Sequence, residues 1–91
     1  MTLKAYSEAI KLGTRLRVLE HWNPNLVGKT RTVCKVQTNG YFFRNDDETQ
    51  RMWAPKPRAS ELKFDGTHID VQMSDPGESH MHWRLEILKD A

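Results

Sequence analysis

Residues 36–43 read Val36-Gln37-Thr38-Asn39-Gly40-Tyr41-Phe42-Phe43, two runs of strand-favouring side chains divided by an Asn-Gly pair. Asn39 and Gly40 both tolerate the positive φ of a type I′ turn, so the stretch predicts a tight antiparallel hairpin. Its first strand runs back from Thr38 to Lys29 and its second forward from Tyr41 to Asn45. Asp46-Asp47-Glu48-Thr49 then reads as a polar turn, and Gln50 to Ala54 as a further short strand. Pro55 and Pro57 end that strand, since proline cannot donate to a ladder.

The same period of two extends in both directions. Upstream, Thr14 to Trp22 places Leu16 and Val18 on one side and Arg15 and Arg17 on the other, and closes at Asn23-Pro24-Asn25. Before it, Leu3, Tyr6, Ala9 and Ile10 carry helical spacing, which predicts a short amphipathic helix over 2–12 stopped by Gly13. Downstream, Pro55 to Leu62 is a loop or a single helical turn. Thr67, Ile69, Val71 and Met73 alternate with His68, Asp70 and Gln72. Asp75-Pro76-Gly77 turns the chain, and Met81, Trp83, Leu85 and Ile87 alternate with His82, Arg84 and Glu86 in a last strand.

This pattern predicts a mainly β fold: a small five- to six-stranded antiparallel SH3-like barrel with a short N-terminal helix. An OB-like barrel is the alternative, and it usually carries a substantial helix where only the Pro55 to Leu62 segment is available. A chain of 91 residues is expected to form a single domain, 1–91, with one core. No apolar run reaches the ~18 residues that a membrane span needs, and the first residues lack the apolar region of a signal peptide. The expected location is therefore the cytoplasm, with no membrane partner. Cys34 is the only cysteine, so an internal disulfide is excluded.

Charge is unevenly spread along the chain. Residues 1–45 hold eight basic against two acidic side chains, a net of +6, and residues 46–91 hold six against ten, a net of −4. The basic half either steers an anionic partner to one face or is neutralised by the acidic half within one sheet. If residue numbers across the first two strands sum to about 52, Leu16 meets Val36 and Val18 meets Cys34, all facing inward. Arg15, Arg17, Arg31 and Lys35 then share the outer face, where like charges stand opposite one another at a cost in stability. Successive strand side chains point to opposite faces, so Tyr41, Phe42 and Phe43 cannot all be inward. The same holds for Met52 and Trp53. An outward Phe42 or Trp53 beside Arg44 and Arg51 has the composition of a base-stacking or protein-docking surface. The candidate binding residues are Arg15, Arg17, Arg31, Lys35, Phe42, Arg44, Arg51 and Trp53.

Catalytic and metal chemistry find little support. His80-Met81-His82 is the one metal-like spacing, and zinc normally needs three or four ligands. Cys34 falls on the predicted core face, where a thiol is a small hydrophobe. Glycine-rich phosphate loops, nucleophile elbows and His-Glu-x-x-His are missing from the sequence. The chain reads as a non-enzyme without cofactor or metal.

Leu19 to His21, Pro24 to Gly28, Arg31 to Val33 and Val36 to Gly40 carry Leu-Glu-His, Pro-x-Leu-x-Gly, Arg-x-Val and Val-Gln-Thr-Asn-Gly. In these motifs the stretch from Gly13 to Trp53 resembles small proteins of bacteriophages and prophages. The resemblance implies a setting of bacterial mobile elements and no particular activity. Two functions are expected from these readings together. The first is a binding module that engages nucleic acid, or a complex associated with it, through a basic and aromatic face. The second is a phage-encoded inhibitor of a host defence protein, of the anti-CRISPR type, acting by occlusion through the basic face or through Asp46, Asp47, Glu48, Asp75 and Glu78. Either a monomer or a dimer joined through edge strands is compatible with the sequence.

Overall fold

Residues 2–89 are described by a computed structural model of the chain. Helix α1 (Thr2–Ala9) precedes seven strands: β1 (Arg15–His21), β2 (Thr30–Gln37), β3 (Gly40–Asn45), β4 (Arg51–Pro55), β5 (Leu62–Phe64), β6 (His68–Gln72) and β7 (His82–Leu88). All are joined in one antiparallel sheet of order β4-β3-β2-β1-β7-β6-β5. The fold is thus mainly β with one short helix, and none of its described helices is long and apolar enough to cross a membrane. The strand beyond the expected six is β5, whose Leu62-Lys63-Phe64 supplies a single alternation, too brief to read as a period.

Ring closure of the SH3 type is not seen in the hydrogen bonding, because β4 and β5 stand at the two ends of the strand order. The sheet is nonetheless strongly curled. A flat sheet of seven strands would separate its edges by roughly 29 Å at ~4.8 Å per strand. From Pro55 to Leu62 the chain spans at most about 25 Å when fully extended, and part of that path is a 3-10 turn, Ala59–Glu61. The edges must therefore approach one another. Leu16, Val18, Val33, Tyr41, Phe43, Ile69, Val71, Trp83 and Leu85 fill the concave side, joined by Tyr6 of α1 and by Ile10 just after it. Tyr6 meets Phe64 of β5 edge-on, with ring centroids 6.4 Å apart.

The helix ends at Ala9, short of the expected Leu12. Thr14 explains this: its hydroxyl donates to the Ala9 carbonyl at 2.9 Å and accepts from the Lys11 N–H at 3.3 Å. Gly13, at φ 90°, then turns the chain into β1 and donates to the Val33 carbonyl. Leu12 is left 73% exposed.

Two sequence-based pairings need correction. The link between β1 and β2 is a 3-10 turn (Pro24–Leu26) followed by Gly28 at φ 89°, which draws the strands into a register whose residue numbers sum to 47. Leu16 therefore faces Arg31, not Val36, and the odd sum turns Arg31 inward. A bulge between Val33 and Lys35 then restores the expected phase, so Lys35 points outward. Cys34 occupies that irregularity and is only partly buried, and Val36, expected in the core, is 47% exposed. In the β2–β3 hairpin the two residues outside the strands are Thr38 and Asn39, and neither has a positive φ, so the turn is not type I′. Gly40 is the first residue of β3 and also lacks a positive φ.

Candidate nucleic-acid interface

Seven of the eight candidate residues share the convex face. On β3 and β4 the register pairs Phe42 with Trp53 and Arg44 with Arg51. On β2 and β3 it pairs Lys35 with Phe42 and Thr32 with Arg44. Arg15 and Arg17 continue the same face on β1, exposed in alternation with the buried Leu16 and Val18. Phe42 and Trp53 meet with centroids 4.9 Å apart, and the Arg51 guanidinium stands 5.1 Å from the Phe42 ring. Trp53 is 39% exposed at the sheet edge. Alternation alone places these rings outward, because Tyr41 and Phe43 take the inner positions.

The cations of this face fall into two groups. Arg15 pairs with Asp46 at 2.7 Å, and Arg17 approaches Glu86 at 3.6 Å. Bonds from the Thr30 hydroxyl and from Arg15 hold the Asp46 carboxyl below the usual aspartate range. Lys29, beside them, is pulled between Asp47 at 3.1 Å and Glu48 at 3.2 Å, which raises its pKa. Here the acidic half of the chain neutralises the basic half within one sheet. Lys35, Arg44 and Arg51 differ, for among the described residues they have no carboxylate partner. Arg44 stands directly opposite Arg51, an arrangement that costs the fold energy. The second expected docking surface is largely paired off: Asp46, Asp47 and Glu48 as above, and Asp75 with Arg58 at 2.9 Å.

Arg31 is the exception and a correction to its expected outward position. It is 2% exposed on the concave side, and its guanidinium carbon lies 3.8 Å from the centroid of Phe43. Burial pushes its pKa down, and the neighbouring Tyr41 hydroxyl partly offsets this. His80 and His82 do not converge either. The His80 ring contacts Trp22, with centroids 5.7 Å apart, while His82 Nε2 lies 2.9 Å from Asp70.

Sequence reasoning missed a group of rings around Arg31. A bulge between Val18 and Glu20 switches the phase of β1, so that Glu20 pairs with Arg84 and His21 turns inward against Trp83. Trp22 packs on His21, with centroids 5.1 Å apart. A single-residue bulge leaves no mark in a polar and apolar pattern, so no local signal identified these residues. Comparison with protein-family models, curated proteins and solved structures found no match to the chain.

Proposed function

We propose that the protein is a non-catalytic binding module that engages single-stranded nucleic acid across the convex face of β2, β3 and β4. The observation that supports this reading is the Phe42–Trp53 ring pair set among Lys35, Arg44 and Arg51, three cations that have no carboxylate partner among the described residues. Bases stack on exposed rings whatever their identity, and phosphates draw the cations, so binding of this kind tolerates sequence. An opposed arginine pair is costly in the free protein, and an intervening phosphate relieves the repulsion. A duplex keeps its bases stacked on one another, which leaves the rings without a target.

Fluorescence polarisation with a labelled oligothymidylate tests this reading. Three neutralised phosphates predict that log K falls with log salt concentration at a slope of about −2. Trp53→Ala weakens binding at every salt concentration without changing the slope, because stacking releases no counterions. Absence of binding at low salt overturns the proposal. A stoichiometric complex with a bacterial protein and no nucleic-acid affinity would favour the occlusion reading instead.

A further inference from the structure

A cavity of about 410 Å³ opens between the β3–β4 edge and the loops that follow β1 and β6, and Trp53, which meets Phe42 on the proposed nucleic-acid face, forms part of its lining. Its walls include the rings of His21, Trp22, Phe43 and Trp83, together with Arg31 and Glu78. A volume of this order suits a small ligand with one or two rings.

Arg31 is the unusual member. Guanidinium groups are seldom buried without an acceptor, because the charge loses its hydration and gains nothing in return. Phe43 covers one face of the guanidinium plane and the Tyr41 hydroxyl bonds to the group, yet Nε and Nη2 are both buried and have no hydrogen-bond partner. These two nitrogens carry the parallel N–H bonds along one edge of the group, the fork that matches the two oxygens of a carboxylate. His21 adds a second donor to the wall. Its Nδ1 accepts the Asn23 N–H at 2.9 Å, which leaves the proton of the neutral ring on Nε2. Burial and the Arg31 charge both lower the His21 pKa and favour that neutral form.

We propose that this cavity binds a small carboxylic acid with a flat apolar body, its carboxylate on the Nε and Nη2 edge of Arg31 and its body among Trp22, Phe43 and Trp83. The wall decides against a phosphate group. Among the described residues Arg31 is the one cationic side chain lining the cavity, and Glu78 also lines it. One positive charge balances a carboxylate, whereas a dianion would remain uncompensated beside that glutamate.

The test uses 2-naphthoate against its neutral analogue 2-naphthamide, read by calorimetry and by the Arg31 Nε–H resonance of ¹⁵N-labelled protein. Naphthoate is expected to bind about tenfold or more tightly than the amide and to shift that resonance downfield, since a charge-assisted pair of hydrogen bonds is gained. Arg31→Met keeps the volume of the side chain and removes the preference for the acid. Should that variant not fold, Glu78→Gln supplies an independent readout at a partly exposed position, with naphthoate affinity rising several-fold and naphthamide affinity unchanged. Equal binding of acid and amide, or an Arg31 resonance unmoved by millimolar naphthoate, overturns the proposal. So does inorganic phosphate that shifts the resonance as strongly as naphthoate. Arg31→Met leaves Lys35, Arg44 and Arg51 in place, so loss of carboxylate binding is distinguishable from failure of the nucleic-acid reading.

Discussion

The indole of Trp53 lies across Gly40: a Cβ built on that glycine would sit 2.4 Å from Trp53 Cζ2 and 2.4 Å from the carbonyl oxygen of Ala54. Gly40 is therefore required for its bare surface, which lets a ring on the neighbouring strand lie flat on the backbone. Gly40→Ala is expected to destabilise the fold by about 1–3 kcal/mol, the usual cost of overpacking, and to displace the indole. Urea denaturation measures the first effect and tryptophan emission the second. In a Trp53→Ala background part of the cost disappears and the clash with the Ala54 carbonyl remains, so a double-mutant cycle returns a non-zero coupling.

That contact also marks how far the sequence could be read. Asn39-Gly40 located the β2–β3 hairpin, but for a different reason from the one that makes Gly40 necessary, since the turn uses Thr38 and Asn39 and the glycine accommodates a ring from β4. Alternation found six strands and required an outward Phe42 or Trp53 beside Arg44 or Arg51; both rings and both arginines are outward, because no bulge interrupts the β3–β4 pairing. It failed at Arg31 and His21. Their orientation depends on a loop that sets the β1–β2 register and on a bulge in β1, both fixed by three-dimensional closure of the sheet. The convex face was therefore legible in outline. The buried guanidinium and its aromatic cavity were not, because an arginine in a period-two pattern reads as exposed.

Glu61 secures the crossover that carries the chain from one sheet edge to the other. Its carboxylate accepts the Arg58 N–H at 2.8 Å and both the Ser74 N–H and the Ser74 hydroxyl at 2.8 Å. The 3-10 turn before β5 is thereby tied to Ser74, two residues past the end of β6. Glu61→Ala leaves two buried or partly buried backbone donors without an acceptor and is expected to cost about 2–4 kcal/mol. Glu61→Gln keeps an acceptor oxygen and costs less. Urea midpoints of the two variants check the order, and equal midpoints would mean that the turn holds without this clamp.

Acid should weaken the fold through Asp65, which closes the turn between β5 and β6. Its carboxylate accepts the Thr67 N–H at 2.9 Å and the His68 N–H at 2.6 Å, and faces the His68 ring at 3.1 Å. These backbone bonds hold its pKa at about 2, below the ordinary 3.8. Because the folded state binds this proton less readily than the unfolded chain, the contribution to stability is complete above about pH 4 and is lost as pH falls towards 2. Asp65→Asn cannot titrate there. The stability difference between the native protein and that variant is expected to shrink across this window in thermal melts, and a constant difference would dissociate the turn from acid unfolding.

Arginines 15, 17, 44 and 51 face one surface, yet their removal should have opposite consequences. Arg44 and Arg51 oppose each other across β3 and β4, so Arg44→Ala is expected to stabilise the free protein by a few tenths to about 1 kcal/mol. The same substitution removes a phosphate contact and lowers the magnitude of the salt slope by about 0.7. Arg15→Ala instead removes the 2.7 Å bond to Asp46 and leaves that carboxylate with Thr30 and Thr32. Its arginine is already neutralised, so the slope should hardly move while stability falls slightly, as for other exposed pairs. Paired measurements of oligonucleotide affinity and urea midpoint for the two variants separate the roles. A stabilised Arg44→Ala protein with undiminished affinity would assign the opposed arginines to something other than phosphate binding.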